Sequence, residues 1–304
     1  MTQPGSSLAA RVVVVLALFA GLPWSAAAGT HRYRGLTIEV DEASAFPGGM
    51  LAMRLVSRRP IRGSVYGILD GRRCPAFWTR DDGLRALVPV PVTFPSGPTT
   101  LGVEIRTSRG RQRFAVPITV APRVYPPRDT VLSDAKREMV AMPSSVRDGR
   151  MLLQYLRTVS PRQEWRGAFR PPVDVPPAAS FGSPQTYAGV AAVESSMDAI
   201  HGEYHRGLDY DVAPGTMVKA PAAGTVLFSG TLALSGRTVV VDHGLGLLSV
   251  FCHLAEAGVR NGERLDAGGT IGTSGESGIA AAPHLHWAVY LLGVAIDPRV
   301  TEKL

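Results

Sequence analysis

Along residues 30–121, apolar and polar positions alternate in short runs, the period of strands that bury one face. The run 99–107 is the clearest, with Leu101, Val103 and Ile105 on one side. Further strands are expected at 36–40, 50–56, 63–69, 84–91 and 111–120. Phe46-Pro47-Gly48-Gly49, Asp70-Gly71 and Pro95-Ser96-Gly97-Pro98 separate them, proline fixing φ and glycine admitting positive φ. This spacing predicts a compact β domain, an immunoglobulin-like β-sandwich. No cluster of catalytic side chains falls within it.

The pattern changes after residue 121. Residues 122–132 are proline-rich and read as a linker. Ser133 stands as an N-cap before Asp134-Ala135-Lys136-Arg137-Glu138, which predicts a helix. Pro143 is expected to interrupt it, and 147–159 to form a second helical piece. Residues 165–177 are expected as an extended arm outside any core. From Ser180 a glycine-punctuated β pattern returns, with strands expected at 224–228, 237–242, 247–253, 270–273 and 284–290. The predicted organisation is a β-sandwich over 30–121, a Pro-rich and helical linker over 122–179, and a second β domain over 180–304.

Arg11, the apolar run 12–22 and the cluster Ala26-Ala27-Ala28-Gly29 have the order of a secretory signal, with cleavage expected after Ala28. The apolar run is shorter than the about 20 residues of a membrane span. Residues 1–28 are therefore expected to be removed, leaving a periplasmic or secreted protein without a stable membrane anchor. The net charge of +7 is carried almost wholly by arginine. That balance suits an anionic partner. No basic run interleaved with aromatics occurs, and no nucleic-acid module, so nucleic acid is not the expected one. Cys74 and Cys252 are expected to be buried and unpaired.

Candidate chemistry concentrates near the C-terminus, as His205-x-x-x-Asp209, then His253, then His284-x-His286. A catalytic zinc site takes three protein ligands and keeps one position open. His205, Asp209 and one histidine of the 284/286 pair would satisfy that, with the remaining two histidines left for proton transfer. On a strand, His284 and His286 share a face while Leu285 points into the core. His205 and Asp209, with Gly207 between them, are also expected on a strand. His31, His201 and His243 read as structural or surface residues.

Four segments then carry a resemblance. His205-Arg206-Gly207-Leu208-Asp209, Val241-Asp242-His243-Gly244-Leu245-Gly246, Phe251-Cys252-His253-Leu254 and Pro283-His284-Leu285-His286-Trp287 resemble, in order, the motifs of the lysostaphin/LytM-like zinc metallopeptidases (peptidase family M23). The resemblance covers roughly residues 180–300 and implies a small antiparallel β fold with a groove. It implies one zinc ion per chain on His205, Asp209 and His286, with water in the fourth position. His253 and His284 match the family's two non-ligand histidines, a general base and an oxyanion stabiliser, in an order the sequence leaves open. The implied substrate is a peptide bond in bacterial peptidoglycan.

The sequence departs from the family at four places, one of them Ala288, which follows Trp287 where glutamate or glycine is frequent. Gln185 stands where many relatives carry arginine, residues 190–204 read as an insertion at the groove rim, and 277–283 is altered before His284. These bear on substrate choice and leave every ligand in place. The alternative, a non-catalytic wall-binding or hydrolase-activating protein, is disfavoured because relatives of that kind typically lose ligands. The 160–177 arm and the helical stretch before it are positioned to cover the groove, which would make the protein latent.

Overall fold

The computed structural model describes residues 28–33, 35–79, 83–188 and 203–304. The predicted signal segment before Ala28, most of the 190–204 insertion and His201 lie outside them.

The first half is built of nine strands: β1 (Ala28–Tyr33), β2 (Leu36–Asp41), β3 (Met50–Ser57), β4 (Ser64–Leu69), β5 (Arg72–Pro75), β6 (Phe77–Thr79), β7 (Gly83–Pro89), β8 (Gly97–Thr107) and β9 (Gly110–Val120). They form two antiparallel sheets, ordered β1-β2-β3-β7-β6 and β5-β4-β8-β9. Ile38, Val40, Leu51 and Met53 of one sheet share a single core with Val65, Leu101, Val103 and Val116 of the other. The strands β5 and β6 went unpredicted because elements of four and three residues show no period. Asp70 and Gly71, at φ 52° and 70°, form the two-residue turn between β4 and β5. On the opposite side of β8 from its apolar stripe, Glu104 is 1% exposed beneath Arg73, Arg106, Arg111 and Arg113.

The strand β10 (Arg128–Val131) leads into α1 (Asp134–Ala141) and α2 (Pro143–Leu156). Pro143 opens the second helix rather than interrupting the first. It occupies the first turn, where a missing N–H costs no hydrogen bond. Leu152 and Leu156 of α2 are buried, and Tyr155 meets Phe228 at 5.4 Å between ring centres.

The expected arm is corrected by the structure. Trp165, Phe169 and Val173 are 2%, 2% and 4% exposed and belong to the main core of the C-terminal half. The Phe169 amide donates to the Thr301 carbonyl at 3.2 Å, and the Phe169 ring stands edge-on to His243 at 4.7 Å. Proline keeps this stretch extended, yet an extended chain can lie across a sheet when it supplies large apolar side chains.

After β11 (Gln185–Ala188) the chain forms β12 (Gly207–Tyr210), β13 (Met217–Lys219), β14 (Gly224–Leu232), β15 (Gly236–Gly244), β16 (Leu247–Ala257), β17 (Arg264–Leu265), β18 (Thr270–Ser274), β19 (Leu285–Leu291) and β20 (Val294–Ile296). The main path runs β12-β19-β16-β15-β14-β17, with β18 joining β13 to β16 and β20 beside β19, all antiparallel. The protein is therefore mainly β. The parallel pair β10–β11 stands apart from this sheet. Among the described residues no helix is long and apolar enough to cross a membrane.

Candidate metal centre

The sheet brings the site together where the end of β12 meets the start of the antiparallel β19. In the β12–β19 ladder Asp209 lies directly opposite His286. Directly opposed residues of an antiparallel pair have Cβ atoms about 5 Å apart on one face, so a carboxylate and an imidazole meet there. Leu285, one residue away, is fully buried, as the alternation requires.

His205 precedes β12 rather than sharing a strand with Asp209. Its backbone is held from both directions, its amide donating to the Ser183 carbonyl at 2.8 Å and its carbonyl accepting from Gly182 at 2.8 Å. The segment Ser180–Ser183 therefore sets the position of the first ligand candidate. His205 Nδ1 donates to the Ser180 carbonyl at 3.0 Å. A carbonyl can only accept, so the proton of the neutral ring sits on Nδ1 and Nε2 turns its lone pair inward.

Three potential donor atoms converge. Asp209 Oδ1 is 3.0 Å from His205 Nε2 and 2.8 Å from His286 Nδ1, and the two imidazole nitrogens are 3.1 Å apart. Their ligand atoms all lie within 4.8 Å of one another, and each residue is 4% exposed. Burial alone would raise the Asp209 pKa. When these nitrogens carry protons, the charge of His205 and hydrogen bonds from both histidines outweigh it and hold the carboxyl well below its ordinary range; when neutral, the same nitrogens are free to bind a cation. Lone pairs from two imidazoles and a carboxylate aimed at one point suit a divalent cation of the zinc class. The orientation of His205 by a backbone carbonyl is the arrangement usual for a metal-binding histidine.

His253 and His284 flank this trio. Their ring centres are 4.8 Å apart, His284 Nε2 lies 3.7 Å from Asp209 Oδ1, and the His253 ring is 6.2 Å from that of His286. His253 has φ 61°, an uncommon backbone state for a non-glycine residue, within the register shift of the β15–β16 pairing, between Phe251 and Leu254. Cys252 precedes it, fully buried, and neither it nor Cys74 forms a disulfide among the described residues. His253 Nδ1 donates to the Ser277 carbonyl and His284 Nδ1 to the Ala282 carbonyl, each at 2.8 Å. Both neutral rings are thus fixed with Nε2 able to accept a proton.

His243 is a buried structural residue. Its Nδ1 faces the Ala223 carbonyl at 2.8 Å and its Nε2 faces Ser249 Oγ at 2.9 Å. Burial pushes its pKa down to about 4.

The cleft holding the trio has a volume of about 120 Å³ and is lined also by Arg128, Thr130, Gln185, Asp211 and the 279–283 loop. The upstream chain at its edge is therefore β10, not the 160–177 stretch, and α1 touches the loop beside it. Lys136 of α1 pairs with Glu276 at 3.1 Å and bonds the Ala280 carbonyl. Arg128 Nη1 bonds Asp209 Oδ2. Sequence reasoning missed Arg128, since a lone arginine in a proline-rich stretch 81 residues from Asp209 gives no linear signal.

Residues 203–298 match peptidase family M23. An uncharacterized metalloprotease of Haemophilus influenzae is 39% identical over 101 residues, which are 33% of this chain and 21% of that protein. A Vibrio cholerae protein named peptidoglycan DD-endopeptidase ShyC is 36% identical over 98 residues, 32% of this chain and 23% of its own length. This chain thus spans about a fifth of the curated relatives it matches. A Pseudomonas aeruginosa crystal structure, described only provisionally as a peptidase M23, superposes with TM-score 0.61 at 27% identity. That match covers 86% of this chain and 96% of the other.

Proposed function

Because residues 203–298 form a peptidase family M23 domain, we propose that this protein is an exported zinc metalloendopeptidase acting on peptide bonds of bacterial peptidoglycan. The observation that carries the reading is the convergence of His205 Nε2, Asp209 Oδ1 and His286 Nδ1 within 4.8 Å. These three would hold one zinc ion. When bound, zinc supplies Lewis acidity and lowers the pKa of a coordinated water to about 7.

The protein's own groups account for the remaining chemistry. His253 and His284 have the role of catalytic residues, each presenting Nε2 toward the cleft. Either accepts a proton there in its neutral form. Whichever donates a hydrogen bond to a developing oxyanion must carry a second proton, because its Nδ1 hydrogen is already engaged by a backbone carbonyl. The pair therefore works with one neutral and one protonated ring. The name of the Vibrio cholerae relative supports the peptidoglycan substrate. A periplasmic or secreted location follows from that substrate and from the signal-like order of residues 1–28.

We also propose the division into a β-sandwich (30–121), a linker (122–179) and the peptidase domain (180–304), the linker completing the peptidase core with Leu152, Leu156, Trp165, Phe169 and Val173. The orders β2-β3-β7-β6 and β5-β4-β8-β9 support an immunoglobulin-like reading of the first part. The activity is tested by measuring bound zinc and muropeptide release for the native protein, His286→Ala and His284→Ala. His286→Ala is expected to lose zinc, and His284→Ala to keep zinc and lose turnover. A native protein that holds no zinc and releases nothing overturns the reading.

A further inference from the structure

We propose that Arg128 is a positioning residue for the metal centre, holding Asp209 so that a single carboxylate oxygen faces the metal position. The inference rests on the metal-site reading above. The two oxygens of Asp209 face different partners. Oδ1 meets His205 Nε2 at 3.0 Å and His286 Nδ1 at 2.8 Å, while Oδ2 is taken by Arg128 Nη1. The guanidinium thus sits on the oxygen that the three-ligand cluster does not use. A carboxylate that is 4% exposed has little water to occupy that second oxygen. Without a fixed donor there, the group is free to turn about its Cβ–Cγ bond and offer either oxygen, or both.

The arginine itself is held by its backbone. Its amide donates to the Pro184 carbonyl at 2.8 Å, and Arg128 through Val131 pairs in parallel with Gln185 through Ala188. The strand is pinned beyond Val131 by Leu132, 1% exposed in a small core with Val140, Leu234 and Ile279. On the far side of the cleft, Lys136 ties α1 to Glu276 and the Ala280 carbonyl. Arg128 and Thr130, two apart on the strand, both line the cleft, whereas Val131 is 71% exposed. Hydrogen-bond partners of metal-ligating groups fix ligand orientation, and losing one typically weakens metal binding about 10- to 100-fold. The partner here comes from outside the M23 match, in the stretch joining the two halves of the chain.

The test uses the full-length protein, stripped of metal and titrated with zinc against a chromophoric chelator at fixed pH. Arg128→Ala is expected to bind zinc about 10- to 100-fold more weakly than wild type. Arg128→Lys, which keeps the charge and one donor, should recover part of the loss, and Val131→Ala, on the same strand but exposed, should match wild type. Cobalt(II) substitution adds a direct readout of geometry, because the visible absorption of a four-coordinate centre falls when a second oxygen enters the coordination sphere. The expected result is a weaker spectrum for Arg128→Ala only. Thermal unfolding in excess chelator identifies a variant that fails to fold, in which case Arg128→Lys and Arg128→Gln decide the question. Equal zinc affinity and an unchanged cobalt spectrum in Arg128→Ala overturn the role. Tighter zinc binding also overturns it, since it would mean that the guanidinium competes with the cation. If wild type itself binds no zinc, the metal-centre reading fails and this inference falls with it.

Discussion

Gly207 carries no side chain where His286 passes, and an added methyl tests how tightly the ligand set is built. A Cβ at 207 would stand 2.6 Å from the Trp287 carbonyl oxygen and 2.7 Å from both Cε1 and Nε2 of His286. Ordinary contact begins at 3.4 Å, so the imidazole is about 0.7 Å too close. The carbonyl belongs to the β12–β19 ladder and cannot retreat without breaking it. The ring must therefore swing, opening its 2.8 Å contact with Asp209 and its 3.1 Å contact with His205. Gly207 is not in the positive-φ region, so Gly207→Ala adds a steric load and no backbone strain. Overpacking of this kind costs about 1–3 kcal/mol, which an ordinary domain survives. A ligand displaced by this much is expected to lower zinc affinity about 10- to 100-fold, and a misplacement near 1 Å to lower turnover about 100-fold. Zinc affinity by chelator competition and muropeptide release by mass spectrometry measure both, with circular dichroism confirming that the variant is folded. A folded Gly207→Ala protein with zinc affinity within twofold of wild type and undiminished turnover would refute the claim that this close approach positions His286.

Two further outcomes are expected. Removing residues before Ser180 takes away Leu152, Leu156, Trp165, Phe169 and Val173, all buried in the main core. At about 1.5–3 kcal/mol each the loss is on the order of 7–15 kcal/mol, comparable with the whole stability of a domain, so the truncated chain should not fold cooperatively. A sharp melting transition close to that of the full chain would count against this. His243 is depressed to about 4 by burial, so the unfolded state binds the proton more readily and stability falls with pH. That contribution is complete above pH about 6.5, the usual histidine value, and declines by about 2.5 kcal/mol on going to pH 4.5. Urea unfolding with chelator present, compared with His243→Gln, isolates it. An identical pH slope in the variant would show that His243 is not the group responsible.

The latency expected from the sequence turns on which upstream segment reaches the cleft. Proline-rich composition at 160–177 suggested a loose cover. Trp165 and Phe169 instead find the apolar side of the sheet, and the phenyl ring closes over His243. The upstream cleft edge is formed by β10, whose sequence is short, polar and without a strong period. Its parallel pairing with β11 joins residues almost sixty positions apart, a separation visible only once the chain is folded.

The site itself was more legible than the scaffold around it. His284-x-His286 can be read from the two-residue strand period, and Asp209 from its spacing to His205, because metal chemistry restricts donors to a few side-chain types. The short strands β5 and β6 were invisible because pairing with longer neighbours, not local pattern, holds them in place. The placement of His253 was not predictable either. Its φ of 61° departs from strand geometry, and simple alternation does not describe where its ring goes.

By itself, the sequence determined the strand periods, the turns and the identity of the five chemically capable residues, since these depend on local sterics and side-chain type. Only the tertiary structure decided that Asp209 stands opposite His286 and that Ser180 and Ser183 hold His205. It also decided that Arg128 takes the second oxygen of Asp209. Those relations are distances between segments far apart in the chain, set by ladder register and core packing rather than by any residue's own preference.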